Sequence, residues 1–94
     1  MNTERRTKLQ IYFDVLRLVS DESKLNGDIS PTRVAHKANI PYDRFRKCLQ
    51  HLDKVGMICQ DDHGRLAVTG KGLEYLEEYV KIEGFLKRMG LWSS

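Results

Sequence analysis

Arg33, Lys37, Arg44, Arg46, Lys47, Lys54 and Arg65 all fall between Pro31 and Arg65 of a 94-residue chain. Four acidic residues share that stretch, Asp43, Asp53, Asp61 and Asp62, so it carries the whole formal net charge of +3. The flanking segments balance, five basic against five acidic before Pro31 and four against four after Arg65. Such a set does electrostatic chemistry: lysine and arginine neutralise phosphates, while glutamine or arginine among them can pair with base edges. The candidate contact residues are Arg33, Tyr42, Asp43, Arg44, Arg46, Lys47, Gln50, Lys54, His63 and Arg65. Asp43 stands against the trend, because a carboxylate repels phosphate and at best accepts from cytosine.

Other chemistries find less support. Cys48-x2-His51 and Cys59-x3-His63 have ligand-like spacing for zinc. Cys48, however, falls on an apolar helical stripe, where packing accounts for it, and His63 falls in a turn, so no metal and no cofactor is expected. Two cysteines are too few for a disulfide framework, and both are read as reduced thiols. The chain lacks a phosphate-cradling glycine loop, His-Glu-x-x-His and Gly-x-Ser-x-Gly, so it is not read as an enzyme. Its apolar stretches are too short to cross a membrane and its first residues are polar, which makes a cytoplasmic location the expectation.

The elements that position the basic set follow from periodicity. With 40% hydrophobic and 31% charged residues, the chain suits one compact domain. Leu9, Tyr12, Phe13, Leu16 and Val19 predict a first helix from about Glu4 to Ser20. A turn at Asn26-Gly27 and a brief extension through Ile29 follow. Ser30-Pro31 opens a short helix that ends near Ala38, and Asn39-Ile40-Pro41 breaks the chain before a third helix beginning near Tyr42. There Phe45, Cys48, Leu49, Leu52 and Val55 form the apolar stripe, opposite Asp43, Lys47, Gln50 and Lys54. Gly56 closes that helix. Met57–Gln60 and Arg65–Val68 then read as a small hairpin around Asp61-Asp62-His63-Gly64.

Thr69 caps a last helix reaching about Met89. Leu73, Leu76 and Val80 are assigned to the domain side. Tyr75, Tyr79, Ile82, Leu86 and Met89 follow the spacing of a coiled-coil seam and, with Phe85, form the candidate dimer interface. Gly84 marks where an unpaired helix would kink back.

The fold class expected is mainly α with a small β-hairpin (α+β). The order of elements is that of a winged helix-turn-helix followed by a C-terminal dimerisation helix. The boundaries expected are 1–70 for the winged domain, 71–90 for the helix and 91–94 for a tail. Ile29 to Leu49, then Leu52-Asp-Lys-Val-Gly-Met-Ile, then Val68-Thr-Gly-Lys-Gly-Leu-Glu-Tyr-Leu, resemble archaeal winged-helix regulators, most closely the small Sulfolobus 10a-type proteins. The resemblance implies double-stranded DNA as the partner and a homodimer paired through an antiparallel C-terminal coiled coil. The chain is therefore expected to act in transcription or chromatin; the alternative is a winged-helix protein-interaction module without direct DNA contact.

Overall fold

The computed structural model describes residues 6–25 and 30–92. The expected helix start at Glu4, the Asn26-Gly27 turn, the Ile29 extension and the last two serines lie outside the described residues. Helix α1 (Lys8–Leu25) opens on Thr7, whose Oγ1 accepts from the Gln10 amide while the Gln10 side chain accepts from the Thr7 amide. This reciprocal capping box sets the helix start a turn later than periodicity alone predicts. Helix α2 (Pro31–Ala38) is capped by Ser30, whose hydroxyl accepts from the Arg33 amide. Asn39 ends it in the left-handed conformation, φ 59°, which asparagine tolerates better than most residues.

The turn then delivers Ile40 into the core and starts α3 (Tyr42–Lys54) at Pro41, which has no amide hydrogen to leave unsatisfied. Strands β1 (Ile58–Gln60) and β2 (Leu66–Val68) pair antiparallel with Cys59 opposite Ala67. Helix α4 (Gly70–Arg88) follows, capped by the Thr69 hydroxyl accepting from Gly72. Four helices and a two-strand wing make up the described fold, mainly helical as expected.

Its fully buried core draws on every element except α4, which adds the partly buried Tyr75 and Leu76 at the edge. Val15, Leu16 and Val19 of α1 meet Val34, Ala35 and Ala38 of α2, Phe45, Cys48 and Leu52 of α3, and Ile58 and Leu66 of the strands. The small residues of α2 allow the close helix approach their size suggests. Helix α1 departs from expectation: its core face runs through Val15 rather than Leu9, which is 59% exposed. Two neighbours divide the helix, with Phe13 turned to α4 while Val15 and Val19 turn to the core.

Helix α4 attaches by one tight contact and one aromatic seam. A Cβ on Gly72 would lie 2.3 Å from the Met57 carbonyl oxygen and 2.6 Å from Val68 Cγ1, so only glycine lets α4 cross the wing here. Farther along, Tyr75 donates its hydroxyl to the Leu9 carbonyl at 2.6 Å, and Tyr79 stacks on Phe13 at 4.4 Å between centroids. This corrects part of the predicted packing face: Leu76 packs against the core as expected, but Tyr75 and Tyr79 also turn inward, whereas Leu73 and Val80 are 51% and 55% exposed. An aromatic stripe offers more area plus a hydroxyl partner for α1, so it outcompetes the aliphatic one. The helix also runs unbroken through Gly84, and the chain reverses only at Gly90, φ 75°, bringing Trp92 edge-on to Tyr79. No helix among the described residues is long and apolar enough to cross a membrane.

Candidate nucleic-acid interface

Phe45, Cys48 and Leu52 anchor one side of α3, and the 3.6-residue period then directs Asp43, Arg46, Lys47, Gln50 and Lys54 outward. All five are exposed. Arg46, Lys47 and Lys54 have no ion-pair partner among the described residues, so their charge is available to an external anion. Tyr42 is 45% exposed and leans on Phe45 with ring centroids 6.3 Å apart, a support that aims it beside Arg46. Tyr42, Arg46 and Gln50 share a polar hollow of about 260 Å³ with Asp53 and Gln60. A glutamine amide and an arginine fork side by side on this exposed helix face suit base-edge pairing.

The remaining basic residues are differently placed. Arg33 Nε donates to Glu22 Oε1 at 3.2 Å and Lys37 Nζ to Glu22 Oε2 at 2.6 Å, holding a 5%-exposed carboxylate between α1 and α2. A buried carboxylate needs such partners, and the pair of cations ties the brace of the motif to α1. On the wing, Arg65 donates to Asp61 Oδ2 at 2.7 Å. Asp61 also accepts from the backbone amides of His63 and Arg65, and those hydrogen bonds, the Arg65 amide first, hold its carboxyl below the usual range. The wing turn is thus built around an acid, with His63 exposed at its tip. Arg44 lies on the flank facing α1, where it lines a cleft with Lys8, Lys47 and His51.

Three basic residues have roles that periodicity does not disclose. Arg6 donates to Asp14 at 2.7 Å and to the Ala38 carbonyl at 3.1 Å, fastening the end of α2 to α1. Lys71 donates to the Val55 carbonyl at 2.7 Å, where α3 ends. Lys8, unpaired among the described residues, stands beside the inner flank of α3. The Arg6 and Lys71 contacts span distant sequence, so no local signal reports them.

Neither cysteine joins a metal-type cluster: among the described residues no three His, Cys, Asp or Glu side chains come together. Cys48 is buried, and burial pushes its thiol up to about 11, while Cys59 is exposed on β1.

The candidate dimer residues lie along α4. Ile82, Phe85 and Met89 are 56%, 50% and 54% exposed, and Leu86 is half-buried. Ile82 and Leu86 border a groove of about 460 Å³ that also takes in Leu9, Tyr75, Tyr79 and Trp92.

Comparison with known proteins agrees with this fold. The winged helix-turn-helix family matches residues 5–87. No curated protein matches the chain. A crystal structure of a candidate transcriptional regulator protein from Pseudomonas aeruginosa PA01 superposes with a TM-score of 0.68 at 21% identity. The superposition covers 90% of this chain and 60% of that one, and at this identity the likeness is one of fold.

Proposed function

The chain belongs to the winged helix-turn-helix family, and from that premise we propose that it binds duplex DNA through α3 and acts as a transcription regulator or chromatin-associated protein. The observation that carries this reading is the outward row Arg46, Lys47 and Lys54, unpaired among the described residues, on the second helix of the motif. Second helices of this motif enter the major groove with their N-terminal half nearest the bases. Tyr42, Arg46 and Gln50 are then the readers, Lys47 and Lys54 the phosphate contacts, and Asp43 an acceptor for cytosine. Arg33 and Arg65 contribute less, because Glu22 and Asp61 already hold them. His63 is left as the wing's contact.

The working unit in this reading is a homodimer. Ile82, Phe85, Leu86 and Met89 are too many large apolar groups to leave in water, and a two-fold pair along α4 covers them while presenting two copies of α3. The alternative, a protein-interaction module, gains some support from the same exposed residues and places a partner rather than DNA on α3.

A salt titration of duplex binding tests the choice. Each phosphate neutralised contributes about −0.9 to the slope of log K against log salt, so Arg46→Ala with Lys47→Ala flattens the slope by roughly that amount for each phosphate no longer neutralised. An unchanged slope at unchanged fold removes α3 from the interface, and absence of duplex binding at low salt favours the interaction module.

A further inference from the structure

A cleft of about 350 Å³ lies between the start of α1 and the inner flank of α3, apart from the outward ridge assigned to bases. Its floor is apolar, made by Ile11, Tyr12 and Ile40, with Ile40 buried in the core. Its rim is basic: Lys8 comes from α1 and Arg44 and Lys47 from α3, and among the described residues no carboxylate lines it. Lys8 and Lys47 have no ion-pair partner among the described residues. Tyr12 and His51 stack across it with centroids 5.5 Å apart and planes 11° from parallel, giving one wall an aromatic character. Cys48 also borders the cleft, and its thiol, pushed up to about 11 by burial, adds no negative charge at physiological pH.

A concave apolar floor adds nothing to DNA phosphate contacts, which are made by charged and polar donors. It does suit a small ligand, since ligand sites are mostly apolar hollows of about 300–1,000 Å³ with a few fixed polar groups. We propose that this cleft binds a small organic anion with an apolar, preferably aromatic body, and that occupancy weakens DNA binding because Lys47 serves both partners. Lys8 and Lys47 take the carboxylate; Ile11, Tyr12 and Ile40 take the body. The first half stands on the cleft alone, and the second rests on the DNA-binding reading above.

The probes are 2-naphthoate and its uncharged counterpart, 2-naphthamide, titrated into the full chain while the methyl resonances of Ile11 and Ile40 are followed. Saturable shifts of both methyls by naphthoate are expected, with the amide at least tenfold weaker. Lys8→Gln and Lys47→Gln should each weaken naphthoate several-fold and leave the amide unchanged. No saturable shift at these methyls overturns the site, and equal affinity for acid and amide overturns its anion selectivity. In the second arm, naphthoate at saturation should raise the Kd for duplex at constant ionic strength by at least threefold, and the rise should shrink in Lys8→Gln. Naphthoate binding with unchanged duplex affinity overturns the regulatory half. If the chain does not bind duplex at all, the DNA reading has failed and the methyl titration still decides the site.

Discussion

Helices α3 and α4 are both amphipathic, yet they treat their outer surfaces in opposite ways. Helix α3 buries Phe45, Cys48 and Leu52 and exposes Arg46, Lys47, Gln50 and Lys54. Helix α4 fastens Tyr75 and Tyr79 to α1 and exposes Leu73, Val80, Ile82, Phe85 and Met89. A charged outer row is at rest in water and waits only for counterions to be exchanged for phosphates. An apolar outer row is not at rest, and it predicts another protein surface. On the proposed reading one helix addresses a polyanion and the other a second polypeptide, so that recognition and assembly fall to different helices.

The contrast breaks most severely at the anchor of α3. Phe45 is fully buried, and Phe45→Ala should cost about 3–5 kcal/mol, enough to unfold much of a domain this small. Chemical denaturation followed by circular dichroism measures it; a loss below about 1 kcal/mol would mean that α3 is held by something other than its core face.

Next in size is the outer row of α4. Ile82→Asp with Leu86→Asp should convert a homodimer to a folded monomer and weaken duplex binding by at least tenfold, read by sedimentation and by titration. If wild type sediments as a monomer at high micromolar concentration, α4 does not assemble this chain with itself, and the exposed residues belong to another partner.

The smallest effect sharpens the inner seam. Tyr75→Phe removes the hydroxyl bonded to Leu9 and should cost about 0.5–1.5 kcal/mol without changing assembly. Alkaline pH probes the same seam. Burial pushes the Tyr75 hydroxyl up to about 12 from its ordinary 10.0, and the Cys48 thiol to about 11 from 9.0. Both are acids held neutral by the fold, so their stabilising contribution is full below pH 9 and is lost as pH rises through these raised values. The denaturation midpoint should accordingly fall between pH 9 and 12, with the Tyr75→Phe protein falling less steeply above pH 10. A thiol reagent at neutral pH should label Cys59 quickly and Cys48 only on unfolding.

Much of this architecture was legible locally. Ser30-Pro31, Asn39-Ile40-Pro41, Gly56 and Thr69 are punctuation whose physics acts within a few residues, and the helices and hairpin begin and end close to them. The stripe of α3 was legible for a related reason: it has a single apolar face, so burying it leaves no choice about which residues point out. Thr7 and Gln10 carried the start of α1 just as plainly, although the apolar period drew that start back to Glu4.

The rest required tertiary structure. Arg46, Lys47 and Lys54 look no different in sequence from Arg6 and Arg33, and only folding brings Asp14 and Glu22 against the latter two. Helix α4 has two apolar stripes, and periodicity places each relative to the helix axis but not relative to a neighbour. The choice between them was made by Leu9 and Phe13, with the Leu9 carbonyl 66 residues from the tyrosine it accepts from. Local physics sets where a helix starts, where it stops and how its side chains alternate. Which face meets the core, and which charge stays unpaired, depends on surfaces that exist only after distant segments have packed.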